Sequence, residues 1–381
     1  IEQYNKENSG TLSEEEIVFL NDYFESADRM PYDVELMMFE QVNSEHCRHK
    51  IFNADWEIDG EKSSESLFKK IRATYEQNDS THVLSAYKDN AAAFKPSDSA
   101  KDEFFEVDPK TKEYKLTNEP TNIVLKAETH NHPTAVAPYP GAATGVGGEI
   151  RDEAAVGIGS KSKAGICGFT VSNISFEKDY YKDYPKNIVN PLQIMIDAPL
   201  GGYDYGNEFG RVTTLGYFRT FQQKLNGINW GFHKPQLIAG GIGVVKTSQI
   251  EKKLIQPGDL LIVIGGPSMR IGISGGATSS ADSSDENIES NFASVQRGNA
   301  EMQRRAQEVI STCVSYGKEN PIVSLHDVGA GGISNAMPEL VNDADLGGIF
   351  YLEDVAFSFV FSSFAILTTR VLSFCSREVQ P

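Results

Sequence analysis

Twelve residues from Gly141 to Asp152, reading Gly-Ala-Ala-Thr-Gly-Val-Gly-Gly-Glu-Ile-Arg-Asp, limit what this chain can fold into. Glycine loses the most backbone freedom on ordering, so four glycines in so short a run predict a loop and not a regular element. The run lies in a polar, glycine-rich stretch, Thr129 to Gly159, that follows a strand expected at Asn122–Glu128. Further strands are expected at Arg211–Arg219, Ile242–Lys246, Leu260–Gly265 and Ile322–Leu325, and residues 78–118 read as loops with short elements. Ser13 and Glu16 form a capping-box pattern ahead of Ile17, Leu20 and Phe24, and a second helix starts after Pro31 with Asp33 as its cap. Helices are also expected at Ala300–Tyr316 and near Ser334–Val341. Strands and helices alternate without a regular βαβ beat, which predicts an α+β (mixed α/β) fold, not a doubly wound parallel sheet.

The formal charge of −18 makes the chain a poor general binder of nucleic acid, itself a polyanion. With 40% hydrophobic and 23% charged residues the composition is that of a soluble globular protein, so no membrane or nucleic-acid partner is expected. Val355–Thr369 carries no charge but is too short for a membrane span. Cys47, Cys167, Cys313 and Cys375 show no CxxC spacing, which suits a reducing cytosol and a cytoplasmic location. The chain begins with Ile1 and no signal peptide, so it is expected to be an internal fragment.

Six segments carry residue types suited to chemistry. Ser44–Lys50 packs two imidazoles, a thiol and two cations into seven residues, although His46 and Cys47 are adjacent and would not face each other on a helix. In Lys126–Pro133, Glu128, His130 and His132 alternate, so an extended backbone would set them on one face, and Pro133 would keep His132 extended. A zinc site there lacks a clear fourth ligand. In the Gly141–Asp152 run, backbone N–H groups can meet phosphate oxygens, Arg151 can add a fork of donors and Asp152 can hold Mg²⁺, although neither a Walker A nor a GxGxxG pattern is present. Gly265–Gly276 is a weaker anion cradle, and Gln296 precedes the long helix, where capping is its default role. Asp327 stands beside a glycine turn, a natural place for a metal-binding carboxylate.

The stretches MMFEQVNSEHCRHKIFNADW, KAETHNHPTAVAPYPGAATGVGGEIRD, FASVQ and HDVGAGGISNAMPEL closely resemble the family of large, single-chain phosphoribosylformylglycinamidine synthases, over residues 12 to about 350. The resemblance implies an aminoimidazole ribonucleotide synthetase-like N-terminal domain at 46–250, a partial glycine-rich C-terminal domain at 251–351 and a helical linker segment at 1–45. It implies ATP-dependent conversion of formylglycinamide ribonucleotide to the amidine in purine biosynthesis: the amide oxygen is phosphorylated and glutamine-derived ammonia displaces phosphate. The glutaminase domain and the second synthetase half would lie outside this fragment, leaving it weakly active or inactive.

By the same resemblance, Glu128, Asp152 and Asp327 are expected as Mg²⁺ ligands, and Gly141, Ala142, Ala143, Thr144, Gly145, Val146, Gly147, Gly148, Glu149, Ile150, Arg151 and Asp152 as the ATP loop. His130 is the expected proton acceptor and His46 a second catalytic histidine. Thr129, Asn131, His132, Arg151 and Gln296 are expected substrate contacts, while His49 replaces a tyrosine that meets ATP in smaller relatives. The sequence departs from the family near residue 352, so 352–381 reads as a divergent apolar tail, either buried core or a product of a shifted reading frame or retained intron. Two other readings stand beside this one: a relative with kinase-like chemistry and a non-catalytic nucleotide-binding module.

Overall fold

The computed structural model describes residues 1–7, 12–96, 103–177, 179–182, 184–266, 276–277, 295, 298–348 and 367–370. A short α1 (Glu2–Glu7) leads to α2 (Glu14–Ser26), which starts on the expected capping box: Glu16 N–H donates to Ser13 Oγ at 3.2 Å, and Ser13 N–H to the Glu16 carboxylate at 2.9 Å. Leu20 and Phe24 of α2 pack with Leu12 and with Leu36 of α3 (Asp33–Asn43). The α3 cap is Tyr32 and not Asp33, because Glu35 reaches back to the Tyr32 N–H while Arg29 grips the same carboxylate. The buried Gln41 of α3 accepts through Oε1 from the backbone N–H groups of Gly276 and Ala277, at 3.0 and 3.1 Å, tying the lead-in to the later part of the chain.

Two single turns, α4 (Glu45–Arg48) and α5 (Lys50–Asn53), meet at His49, whose φ of 49° is left-handed. The hairpin β1 (Glu57–Ile58) and β2 (Glu61–Lys62) follows, then α6 (Leu67–Glu76). The remaining strands up to residue 246 are β3 (Val83–Ser85), β4 (Ala92–Phe94), β5 (Glu103–Val107), β6 (Tyr114–Asn118), β7 (Thr121–Thr129), β8 (Lys161–Val171), β9 (Val212–Thr220), β10 (Gln222–Leu225), β11 (Ile228–Gly231) and β12 (Gln236–Lys246). Six of them form one sheet in the order β3-β4-β7-β12-β8-β9. Every pair is antiparallel except β8 and β9, which run parallel. Between those two comes α9 (Pro191–Phe209), the kind of crossover a parallel pair requires. The sheet is therefore mixed and the fold α+β, as the irregular order of elements predicts.

Two further expectations fail, one through close packing and one through hydrogen bonding. Gly141–Asp152 is not a loop: after a short α7 (Asn131–Val136), it forms most of α8 (Pro138–Ala154). The glycines are where α8 meets its neighbours, since a Cβ on Gly141 would stand 2.5 Å from the Pro133 backbone and one on Gly145 2.6 Å from the Leu237 side chain. Close packing outweighs the intrinsic propensity. Ile322–Leu325 is not a strand either. Asn320 anchors that segment by donating to Ile158 O and Gln249 Oε1 and accepting from Ile322 N–H, and Lys253 N–H bonds Val323 O. The other later elements appear near their expected places: β13 (Leu260–Val263), α10 (Ala300–Ser315) and α11 (Ile333–Asn342). Of the tail, residues 367–370 form β14 (Leu367–Arg370), antiparallel to β13; residues 352–366 and 371–381, and 267–275 of the second glycine segment, lie outside the described residues.

Helices α8 and α9 cover one face of the sheet, with Val146, Ile150, Phe169, Ile194, Ala198 and Leu237 in the shared core. Among the described residues the other face is open: Leu125, Ile166, Leu215 and Ile242 are exposed and line a shallow depression of about 460 Å³. No helix among the described residues is long and apolar enough to cross a membrane.

One turn of α8 carries charge into the core. Glu149 and Glu153 are fully buried, with Arg211 at the start of β9 as their shared cation, 2.5 Å from Glu149 and 3.8 Å from Glu153. One guanidinium cannot neutralise two carboxylates. Burial, reinforced by Glu149, pushes Glu153 up to about 9, and burial raises Glu149 too, to about 7 against the pull of Arg211. A carboxyl raised in this way holds a proton when folded that it loses when unfolded, so stability falls as pH rises from the unfolded value near 4.5 toward about 9, by up to ~1.4 kcal/mol per pH unit for one proton. Glu153→Gln keeps the shape without the ionisation. In thermal melts at about pH 6 and about pH 9, the variant is expected to lose less stability on alkalinisation than wild type; equal losses would remove the shared-proton reading.

Candidate functional site

Alternation along β7 puts Lys126 and Glu128 on its helix-covered side, opposite Gly241 and Ala239 of β12. The expected single face of Glu128, His130 and His132 does not form. The chain turns into α7 straight after His130, and His132 lies in that helix, only 3% exposed. Pro133 occupies the third helical position, where its missing N–H has no helical partner to lose, and His132 is helical despite the steric preference that a following proline imposes.

His130 instead faces α8. Its Nδ1 lies 2.6 Å from Gly141 O, and because a carbonyl only accepts, Nδ1 carries the hydrogen and Nε2 keeps the lone pair. Burial, with help from the charges of Arg151 and His46, lowers this imidazole to about 4 against the opposing bond to Gly141. His130 is thus neutral near pH 7, with Nε2 as its basic atom.

Beside it lies a cluster of carboxylates. Lys126 Nζ is 2.6 Å from Asp152 Oδ2 and 3.7 Å from Glu128 Oε2. Asn90 ties Asp327 into the same group: its Nδ2 donates to Asp327 Oδ1 at 2.7 Å and to Asp152 Oδ1 at 3.4 Å, while its backbone carbonyl accepts from Lys126 Nζ at 3.1 Å. Burial and then the charge of Asp327 push Asp152 up to about 7 despite Lys126. Burial alone would depress Lys126, yet Asp152, then Glu128 and Asp327, raise it above the usual lysine range. The structure therefore sets Glu128 of β7 and Asp152 of α8 on one ammonium and ties Asp327, from the segment before α11, to them through Asn90.

The other expected residues divide between the site and its frame. His46 is exposed at the rim, close enough to Glu128 and His49 for their charges to act on it. His49 tilts over the Phe68 ring. In α8, Gly148, Arg151 and Asp152 point to the site; an added Cβ on Gly148 would lie 3.5 Å from Arg151 and 3.7 Å from Glu128. Arg151 Nε is buried with no hydrogen-bond acceptor among the described residues. Ala142, Ala143, Val146 and Ile150 are core, Gly141 and Gly145 are contact points, Glu149 is the partner of Arg211, Thr144 accepts from Gly298 N–H, and Gly147 O accepts from Gln303. Thr129 is exposed at the end of β7, whereas Asn131 Oδ1 accepts from Leu237 N–H. Gln296 lies outside the described residues. Asn90 and Lys126 are site residues without a sequence-based role: Lys126 stood in a flagged segment, but Asn90 sat in an unremarkable polar stretch.

Among the described residues no three His, Cys, Asp or Glu side chains stand close enough to hold a metal ion by themselves. The donor set nonetheless has the right chemistry for Mg²⁺, which takes oxygen ligands and commonly uses one or two carboxylates plus substrate phosphates.

Comparison with known proteins bears on the fold. Residues 1–50 match the formylglycinamide ribonucleotide amidotransferase linker domain, and residues 256–368 match the C-terminal domain of AIR synthase related proteins. Among solved structures, PurL of T. maritima complexed with FGAR aligns with a TM-score of 0.57 at 24% identity, covering 93% of this chain and 48% of that one. The same protein complexed with ATP aligns at 0.55 and 23%, and phosphoribosylformylglycinamidine synthase II from Thermotoga maritima at 0.56 and 23%, each over 93% of this chain and 46% of the other. The chain thus spans about half the length of these proteins. The resemblance drawn from the sequence is borne out, and the fold is that of PurL.

The tautomer of His130 gives a direct check. In ¹⁵N-resolved spectra its ring is expected to be neutral with Nδ1 protonated at about pH 6, titrating only near the value of about 4. A midpoint at the ordinary histidine value, or protonation at Nε2, would contradict the geometry.

Proposed function

We propose that this chain is the first half of the synthetase region of a phosphoribosylformylglycinamidine synthase, acting in the ATP-dependent conversion of formylglycinamide ribonucleotide to its amidine with glutamine-derived ammonia. The observation that carries this reading is the meeting of Glu128 and Asp152 on one cation, with Asp327 tied to them through Asn90, beside a neutral histidine whose Nε2 is its basic atom. PurL complexes with FGAR and with ATP share the fold and support the choice of substrates.

An amide oxygen is a weak nucleophile, so phosphoryl transfer to it depends on positioning and charge neutralisation. Glu128, Asp152 and Asp327 would hold the magnesium of Mg-ATP. When bound, magnesium supplies charge neutralisation at the transferred phosphoryl group. Arg151, with an unused buried donor, would take a phosphate oxygen or the substrate, and Gly148 leaves room for that approach. Ammonia must lose a proton as it displaces phosphate from the activated amide. His130 Nε2 would accept it, with Gly141 O fixing the ring, and His46 at the rim would be the second catalytic histidine. Thr129, Asn131, His132 and Gln296 are the proposed substrate contacts, although Asn131 Oδ1 also accepts from Leu237 N–H. The glutaminase domain would deliver ammonia, and the second synthetase half would cover the open sheet face of Leu125, Ile166, Leu215 and Ile242.

In the intact enzyme supplied with free ammonia, His130→Ala is expected to lower turnover by about a hundredfold or more, the usual scale for a general base. Asp152→Asn is expected to abolish it, with ADP release as the measurement. Near-normal rates in both would remove the site assignment. By calorimetry, the isolated chain is expected to bind Mg-ATP and release no ADP.

A further inference from the structure

The most closely held group in the carboxylate cluster is the ammonium at its centre. Lys126 Nζ contacts Asp152 at 2.6 Å, Glu128 at 3.7 Å and the Asn90 carbonyl at 3.1 Å, and Asn90 in turn holds Asp327 at 2.7 Å. Its side chain is 23% exposed and that of Asp152 10%, so the charges act on one another with little screening. The carboxylates outnumber the ammonium, which favours a divalent cation at a place already filled.

We propose that Lys126 is a resident counter-ion of this site, holding Glu128 and Asp152 together, and through Asn90 keeping Asp327 beside them, until a divalent cation displaces it. The proposal rests on the functional reading above and deepens it. Without a cation these carboxylates repel one another, and removing the ammonium would leave the buried Asp152 without its ion-pair partner. Lys126 and Glu128 are fixed two residues apart on one strand, so the ammonium cannot leave the cluster without turning on its four-carbon stem. Once displaced, it offers three donors to an incoming anion. Metal alone would then bind weakly, because each binding event must first break the Lys126–Asp152 pair, and strong binding would require the phosphates that the freed ammonium can meet. Lys126 is accordingly a positioning and gating residue for the metal, not a catalytic residue.

The test uses Mn²⁺ alone, without nucleotide, followed by electron paramagnetic resonance on the purified chain. Lys126→Gln is expected to bind Mn²⁺ about tenfold or more tightly than wild type, because competition from a near-contact charge is gone. Lys126→Arg is expected to bind as weakly as wild type. The metal-free Lys126→Gln protein is expected to melt below wild type and to recover when Mn²⁺ is added. Lys126→Gln binding no tighter than wild type would overturn the proposal. A measurement on wild type guards against a variant that fails to fold: the Lys126 ε-methylene resonance is expected to shift as Mg²⁺ saturates the site, and an unchanged resonance at saturation would equally overturn it. Asp152→Asn separates the two readings. If it weakens Mn²⁺ binding while Lys126→Gln does not strengthen it, only the counter-ion proposal fails; if Asp152→Asn leaves Mn²⁺ binding unaltered in both backgrounds, the metal-site assignment itself fails.

Discussion

Everything at the site depends on how closely α8 is pressed between the sheet and α9. One side of the helix supplies Val146 and Ile150 to the core and Glu149 and Glu153 to Arg211. Another side supplies Arg151 and Asp152 to the cluster on β7. Contact at Gly141 and Gly145 brings α8 so near α7 that His130 can reach Gly141 O, which decides which ring nitrogen carries the proton. Tight packing of interiors makes such a helix a lever: displacing it would move Asp152, Arg151 and the partner of His130 together.

Much of the fold was legible in the sequence, and what was not has identifiable causes. The capping box at Ser13, β7 and α10 carried strong local signals and form nearly where expected. The α8 run was misread because glycine content was weighed as conformational freedom, when here it permits contact. The same confusion hid α9, which has three glycines and an internal Pro199 yet buries Ile194, Ala198, Tyr205 and Phe209 on one side. At the site, Glu128, Asp152, Asp327 and His130 were legible because their residue types suit the chemistry. Asn90 was not, since nothing local marks an asparagine whose partners lie 62 and 237 residues away in the chain.

Two charge clusters draw on the same turn of α8, facing different ways, and they differ in kind. Around Arg211, two carboxylates share one cation in the closed core, so a proton is the only available compensation. Around Lys126, the carboxylates border the partly exposed His46 and Arg151, where another cation or a phosphate can enter. Excess acid groups are structural in the first case and receptive in the second, and access to solvent is what separates them.

The bond from Gln41 to Gly276 and Ala277 bears on how the protein can be dissected. Residues 1–50 match a linker domain of their own, which invites removal as a separable appendage. Yet that carboxamide oxygen is the acceptor for two buried N–H groups 235 and 236 residues further along. A truncation starting after α3 would leave both without it, at about 1–3 kcal/mol for each buried donor left unpaired. The lead-in thus behaves as a plug seated in the downstream backbone, and shortened versions of the chain should keep it.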